Sequence, residues 1–349
     1  MPSLIGMPRA ESVAVSVIVP AHNARRSLPA CLAALRRQTY LPDEIIVVDD
    51  GSSDQTLEIA LDSGAQALRA EHHGPAAARN LGAQNARGEI VLFTDADCEP
   101  APDWIARMLP PFADPAVVGV KGAYRTRQRN LFARLVQAEF EDKYARMRRL
   151  PDIDFIDTYS AAYRREAFLQ AGGFNEIFPS ASVEDVELSF RLSRDGARLR
   201  FVPEACVWHT HPASLGRYLR RKARYGFWRA LVYLWNPDKI GGDSHTDPML
   251  KIQLALAALA GLGIVAMLIN VHLLLMTPVA VFGLAVTTLP FVERTWKRDP
   301  PAALLAIPVH ILRAGVQAGT LAAGLAVHTG SFLIGLLLKR KKLLSLGSS

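Results

Sequence analysis

Three short apolar runs each end in a cluster of polar and acidic residues, and this pattern constrains the fold more than any other feature of the chain. Val13–Val19 leads into Pro20-Ala21-His22-Asn23, Glu44–Val48 into Asp49-Asp50-Gly51-Ser52, and Glu89–Thr94 into Asp95-Ala96-Asp97. Helix-like segments at Leu28–Arg37, Asp54–Leu61 and Ala76–Ala86 lie between and around these runs. Short buried strands alternating with helices predict an α/β fold: a Rossmann-like, mixed and mostly parallel sheet flanked by helices. In such sheets ligands sit at the carboxyl ends of strands. The three polar loops are therefore expected to line one crevice.

A second region follows a different rule. Ile252–Ile269 is apolar and uncharged over 18 residues, and Val271–Val292 adds 22 more. Because ~20 apolar residues span a bilayer core, these runs predict transmembrane helices. The 37 residues Ala302–Leu338 are also mostly apolar but carry Arg313. They suit either two short crossings, which make a second hairpin, or an interfacial helix beside the first hairpin. The expected organisation is a catalytic domain over 1–230, a linker over 231–250, a transmembrane region over 251–338 and a basic cytoplasmic tail over 339–349. Lys and Arg placement sets orientation. The run 217–229, the loop Arg294–Arg298 and the tail Lys339–Lys342 should all face the cytoplasm, with the chain multi-pass in the inner membrane.

Composition removes other classes. Half of the 349 residues are hydrophobic, so disorder of the whole chain is excluded. The three cysteines, Cys31, Cys98 and Cys206, are scattered with no CxxC pair, which disfavours a disulfide scaffold or a cysteine zinc site and suits a reducing compartment. Val13–Pro20 is too short, and lacks the basic lead-in, to read as a secretory signal. The net charge of +7 collects beside the apolar stretches, with six basic residues from Arg217 to Arg229. That distribution points to a membrane surface and not to nucleic acid.

Four groups of residues carry candidate chemistry. Asp49 or Asp50, at a strand end, can accept from a base ring N–H or ribose hydroxyls, while Ser52 and Asp54 suit capping of the next helix. Asp95 and Asp97, one residue apart at a strand end, can reach one hard divalent cation such as Mg²⁺ or Mn²⁺. Glu184 and Asp185 open a helix, where acids suit the macrodipole but can also serve as a general base. His209 can complete a metal site, and Arg221 and Arg224 can neutralise a departing diphosphate. The amphipathic segment Asn130–Leu150 suits a cover helix, an acceptor groove or bilayer docking.

With these residues in view, a family resemblance emerges. Val15–Asn23, Val47–Asp54, Gly74–Gly82 (GPAAARNLG), Asp95-Ala96-Asp97, Tyr163-Arg164-Arg165 with Gly172–Glu176, and Glu184-Asp185 together resemble, in order, the motifs of family 2 glycosyltransferases. The resemblance covers about residues 13–230. It implies a GT-A fold, a nucleotide-diphosphate-sugar donor, a divalent cation and inversion at the anomeric carbon. It further implies that Pro20, Ala21, Asn23 and Asp49 or Asp50 hold the nucleoside, and that Arg79 approaches the donor phosphates or nearby backbone. Asp97 becomes the main metal ligand, with Asp95 toward the ribose or sugar. Asp185 becomes the base, and His209 the late metal-binding histidine.

Two departures stand out. Ala24-Arg25 stand where an acidic residue is usual, and the QxxRW motif of processive synthases is absent, with Arg221–Gly226 in a comparable place. Transfer of one sugar to a hydroxyl of a lipid-linked or cell-envelope glycan acceptor is expected at the membrane. The alternatives are a catalytically inactive nucleotide-binding scaffold and a processive polysaccharide synthase.

Overall fold

The computed structural model describes residues 13–244 and 246–346, with side chains described to Gly330. The side chains of the Lys339–Lys342 run and residues 1–12, 245 and 347–349 lie outside the described residues. The chain forms two compact units that are not contiguous in sequence. The first comprises residues up to 123, 156–180 and 191–208, and the second 124–155, 181–190 and 209 onward. The sequence places the domain boundary near 230, ahead of a linker and of the first apolar span at 252. It does not reveal that earlier segments pack with those spans.

The first unit is built on an eight-stranded sheet. Its strands are β1 (Val15–Ala21), β2 (Glu44–Asp50), β3 (Gln66–Ala70), β4 (Ile90–Phe93), β5 (Glu99–Pro100), β6 (Val117–Arg125, whose last two residues belong to the second unit), β7 (Ala161–Arg164) and β8 (Arg198–Trp208). Their order is β3-β2-β1-β4-β7-β6-β8-β5. β1 pairs in parallel with β2 and β4, and β2 with β3, whereas β7 runs antiparallel to β4 and β6. Val15, Val17, Ile18 and Val19 of β1 are fully buried, as expected for a central strand covered on both faces.

The helices of this unit are α1 (Leu28–Arg36), α2 (Thr56–Asp62), α3 (Pro75–Asn85) and α4 (Trp104–Met108), with α6 numbered below. Gly74, at φ +92°, turns the chain into α3, and Pro75 follows at the first helical position, where its missing N–H costs nothing. Gly82 lets α3 press onto the sheet, since a Cβ there would overlap Ile18 and lie 3.3 Å from Val48 Cγ2.

The remaining helices are α5 (Leu131–Met147), α6 (Arg165–Gln170, first unit), α7 (Glu184–Arg194, divided between the units), α8 (Leu215–Trp235), α9 (Pro248–Ala266), α10 (Met276–Trp296) and α11 (Pro300–Leu346). Three described segments are long and apolar enough to cross a membrane: Pro248–Ala266, Val271–Trp296 and Pro300–Gly330. α9 and α10 form an antiparallel hairpin. Gln253 Nε2 donates to Thr288 Oγ1 at 3.2 Å, and Thr277 Oγ1 donates to the Ala260 carbonyl at 3.0 Å. Such hydrogen bonds join helices where apolar surfaces alone give little preference. Residues 302–338 lie on one uninterrupted helix, with Pro308 accommodated inside it.

α5 begins with Asn130, whose side chain accepts from Ala133 N at 2.8 Å. It is ion-paired to the ends of the apolar helices. Arg134 binds Asp299 (Nε–Oδ2 2.7 Å), Asp142 binds Arg294 at 2.5 Å, and Arg146 meets Asp247 at 3.2 Å. Glu139 accepts from Tyr218 Oη at 2.6 Å and Arg313 Nη1 at 2.9 Å, with Lys222 Nζ 3.5 Å away. Burial alone would raise the Glu139 pKa, but Lys222 and Arg313 more than offset it and hold it well below its ordinary value. Arg313, the lone basic residue of the third apolar stretch, thus has a counter-ion.

Candidate active site

The predicted site residues divide between the two units. In the first unit, sheet topology gathers the strand ends. Ala21 pairs with Asp49 across β1 and β2, and Ile18 with Phe93 across β1 and β4. Chain order reverses at β1, which is flanked by β2 on one side and β4 on the other. A switch of this kind opens a crevice at the carboxyl ends of the strands.

Pro20 is half-buried and Ala21 buried where β1 ends. Asn23, exposed and at φ +50°, ties this loop to the next. Its N–H donates to Ser52 Oγ at 2.8 Å and its Oδ1 accepts from Ser53 N at 3.0 Å. The adjacent acids have different employment. Asp50 accepts from His73 N and Gly74 N, both at 2.9 Å, and so fixes the loop that enters α3. Asp49 accepts from Ser52 N at 3.2 Å through Oδ1, while its buried Oδ2 has no hydrogen-bond partner among the described residues. A buried carboxylate oxygen left in that state calls for a donor. His22 and His72 each place Nδ1 near the Asp50 carbonyl, at 2.8 and 3.0 Å, with their rings 4.4 Å apart. Because a carbonyl only accepts, both Nδ1 atoms carry the proton.

Asp95 and Asp97 follow β4 and also diverge. Asp95 accepts from Arg79 Nη2 at 2.6 Å, and the Arg79 side chain is only 3% exposed. Arg79 therefore meets the first acid of the pair from inside α3. Asp97 is exposed. Burial, followed by the charges of Asp95 and Asp97, pushes the neighbouring Cys98 thiol well above its ordinary pKa, so sulfur is not offered as thiolate. The donor chemistry beside β4 is carboxylate oxygen, which fits a hard divalent cation. β8 ends close by at Trp208, which pairs with Glu99 two residues beyond Asp97.

In the second unit, Glu184 is buried and its Oε2 accepts from Ser182 N at 2.7 Å, bracing the start of α7. Asp185 is half-buried, and its Oδ1 accepts from Val186 N at 2.8 Å. Asp185 lies in a positive field from Lys143 and Arg229. His209 is half-buried and stacks on Tyr124 with ring centres 4.8 Å apart. Two residues on, His211 stacks on Phe140 and meets Gln137 Oε1 at 2.9 Å. Burial, then His209 and Arg221, pushes the His211 pKa down to about 3, so it stays neutral. Arg221 donates to Tyr225 Oη at 2.7 Å, and Arg224 is exposed.

Sequence reasoning missed Lys143. Its ammonium lies 4.7, 5.2 and 5.7 Å from the ring centres of Phe140, Phe155 and Tyr144. Burial pushes its pKa down to about 7, with Asp185 pulling the other way. Phe140 precedes it by three residues and Tyr144 follows it directly, but Asp185 is more than forty residues away. Also missed was Asn80, which donates to the Phe174 carbonyl and Glu176 Oε1, both at 2.8 Å, joining the α3 motif to the Gly172–Glu176 segment.

Comparison with known proteins agrees with this architecture. Residues 16–171 match the family described as glycosyl transferase family 2. The chain is 31% identical over 271 residues to the pre-mycofactocin glycosyltransferase of Mycobacterium tuberculosis, covering 73% of this chain and 55% of that relative. The chain thus spans about half the length of that relative. It is 30% identical over 238 residues to glycosyltransferase AglE of Haloferax volcanii, covering 65% of this chain and 75% of that protein. The fold is shared with mannosyltransferase PcManGT from Pyrobaculum calidifontis, solved with GDP-Man and Mn²⁺, at a TM-score of 0.56, 21% identity and 88% coverage of both chains. The chain belongs to glycosyl transferase family 2.

Proposed function

We propose that this protein is an inverting glycosyltransferase that moves one sugar from a nucleotide-diphosphate sugar to a hydroxyl of a lipid-linked or cell-envelope glycan acceptor at a membrane. The observation that carries this reading is the switch at β1, where a buried Asp49 oxygen lacks a donor and Asp97 is exposed beyond β4. The named relatives support it, since each is itself a glycosyltransferase.

Asp49 takes the ring N–H of the base, because the Asp50 carboxylate is committed to the loop before α3. Pro20, Ala21 and Asn23 form the wall beside the nucleoside. Arg79 holds Asp95 in place toward the ribose or sugar. Asp97, with His209 (the residue after Trp208), would hold a divalent cation, Mg²⁺ or Mn²⁺, whose bound charge stabilises the diphosphate. Asp185 removes the proton of the acceptor hydroxyl as its oxygen attacks the anomeric carbon from the face opposite the diphosphate. Glu184 keeps the start of α7 in place so that Asp185 is presented at its first turn. Arg221, oriented by Tyr225, supplies positive charge to the leaving group. Arg224 shares an exposed stripe with Arg217 and Arg220.

The three apolar helices support action at a membrane, and the basic residues at 217–229 and 294–298 support a cytoplasmic catalytic side. A thermal-shift panel of nucleotide-diphosphate sugars, with and without Mn²⁺, tests the reading. The full chain should be stabilised by one donor only when Mn²⁺ is present, and should hydrolyse that donor slowly. No shift from any donor contradicts the reading. A metal-dependent shift with neither hydrolysis nor transfer indicates the inactive scaffold instead.

A further inference from the structure

His209 is held by side chains that the proposed reaction does not use. Its backbone N–H donates to the Arg125 carbonyl at 2.9 Å, and its imidazole stacks on Tyr124 with ring centres 4.8 Å apart and planes 19° from parallel. Two successive residues at the end of β6 thus fix both the chain and the ring of His209. Tyr124 is 3% exposed and is itself fixed by α5. Its N–H donates to Tyr144 Oη at 2.8 Å, and its carbonyl accepts from Gln137 Nε2 at 3.3 Å. Its ring meets Phe140 edge to face, with centres 5.1 Å apart. His211 completes the layer. It stacks on Phe140 with planes 13° from parallel, and its Nε2 meets Gln137 Oε1 at 2.9 Å. An amide offers one acceptor and two donors, so the single Gln137 amide holds both the Tyr124 backbone and the His211 ring.

We propose that Tyr124 is a positioning residue for His209, and that Gln137, Phe140 and His211 keep the Tyr124 ring in place. The inference rests on the reading of His209 as a ligand of the divalent cation. A histidine ring turns about two side-chain torsions, whereas a ligand nitrogen must meet its ion to within about 0.2 Å. Stacking fixes the plane of the ring before the ion arrives, so binding does not have to order it. Contact through the ring face also takes up neither ring nitrogen, because their lone pairs and N–H lie in the ring plane. Partners that orient a ligating histidine typically account for about 10–100-fold in metal affinity.

The test titrates Mn²⁺ into the full chain in detergent micelles. Free ion is counted by EPR, and bound ion is read for the nitrogen modulation of the electron spin echo that an imidazole ligand produces. The wild type should show this modulation, and His209→Ala should lose it. Tyr124→Phe keeps the stack and should match the wild type. Tyr124→Leu should weaken Mn²⁺ binding about 10–100-fold and lose the nitrogen modulation from the ion that still binds. Melting without metal checks that each variant folds. Gln137→Met, which removes only the amide behind the ring, should weaken Mn²⁺ binding about 2–10-fold, the scale of one hydrogen bond. Wild-type affinity and modulation in Tyr124→Leu overturn the positioning role while leaving His209 a ligand. Where Tyr124→Leu does not fold, the same result in Gln137→Met overturns it. Equal losses in Tyr124→Phe and Tyr124→Leu also overturn it, because the hydroxyl and not the stack would then matter. Modulation that survives His209→Ala removes the ligand assignment, and the proposal with it.

Discussion

Paired acids recur along this chain, and in each pair the two side chains have different work. Asp50 caps a loop while Asp49 keeps one oxygen unmatched, Arg79 holds Asp95 while Asp97 is exposed, and Glu184 braces α7 while Asp185 is half-buried. The pairs are legible in the sequence, but the division within them is not, because it depends on which backbone N–H or guanidinium comes within 3 Å. The same limit hid Lys121, wholly buried in β6 and ion-paired with Asp157. Lys121→Met strands that carboxylate, so it should destabilise the fold by about 3–5 kcal/mol, seen as a lower melting temperature. Lys143 gives a pH signature. Its folded pKa of about 7 lies below the unfolded value of about 10.4. Between the two the unfolded chain binds more protons, so stability rises with pH across that window and the contribution is lost below about pH 7. Above pH 7 Asp185, the proposed base, also loses the cationic neighbour that favours its carboxylate over proton uptake. The transfer rate should rise through an inflection near pH 7, and Lys143→Met should remove that inflection; a profile unchanged by the substitution counts against the coupling.

Strands β1, β2 and β4 and helices α1, α2 and α3 of the first unit were readable because their signals are local, whereas β3, β5, β6 and β8 were not read. β1 is a continuous apolar run, and α3 announces itself with Gly74-Pro75, where a positive φ precedes a pre-set helical one. β7 was not foreseen, and it makes the sheet mixed by running antiparallel to β4. Its four residues, Ala161-Ala162-Tyr163-Arg164, lack the unbroken run of large apolar side chains that marks β4. α5 was readable as amphipathic but not in its purpose, since four of its charged side chains are spent on Asp247, Arg294, Asp299 and Arg313, 101 to 174 positions away. Contact between α8 and α11 was equally silent in the sequence. It depends on Gly226 and Gly324; a Cβ on Gly324 would overlap the Phe227 carbonyl and lie 2.9 Å from Ala230 Cβ. Gly324→Val should cost about 1–3 kcal/mol through overpacking. Gly319→Val, on the same helix but in open space, should leave the melting temperature nearly unchanged. Equal effects from the two would mean that the helices do not need this close approach.

For the whole molecule, composition separates soluble-looking from apolar sequence, whereas packing sorts the chain by a different line. Residues 124–155 and 181–190 join the unit that carries the apolar helices, so Asp185 and Lys143 belong to that unit, and Asp49, Asp50, Asp95 and Asp97 to the other. The account's central claim is that these acids divide into a donor-and-metal set and a separate base. Donor titration and sugar transfer, measured side by side on Asp97→Ala and Asp185→Asn, test it most directly. Asp97→Ala should lose Mn²⁺-dependent donor binding, while Asp185→Asn should bind donor like the wild type and lose about 10²–10⁴-fold in transfer rate. Transfer by Asp185→Asn at the wild-type rate, or unimpaired Mn²⁺-dependent donor binding by Asp97→Ala, would contradict it.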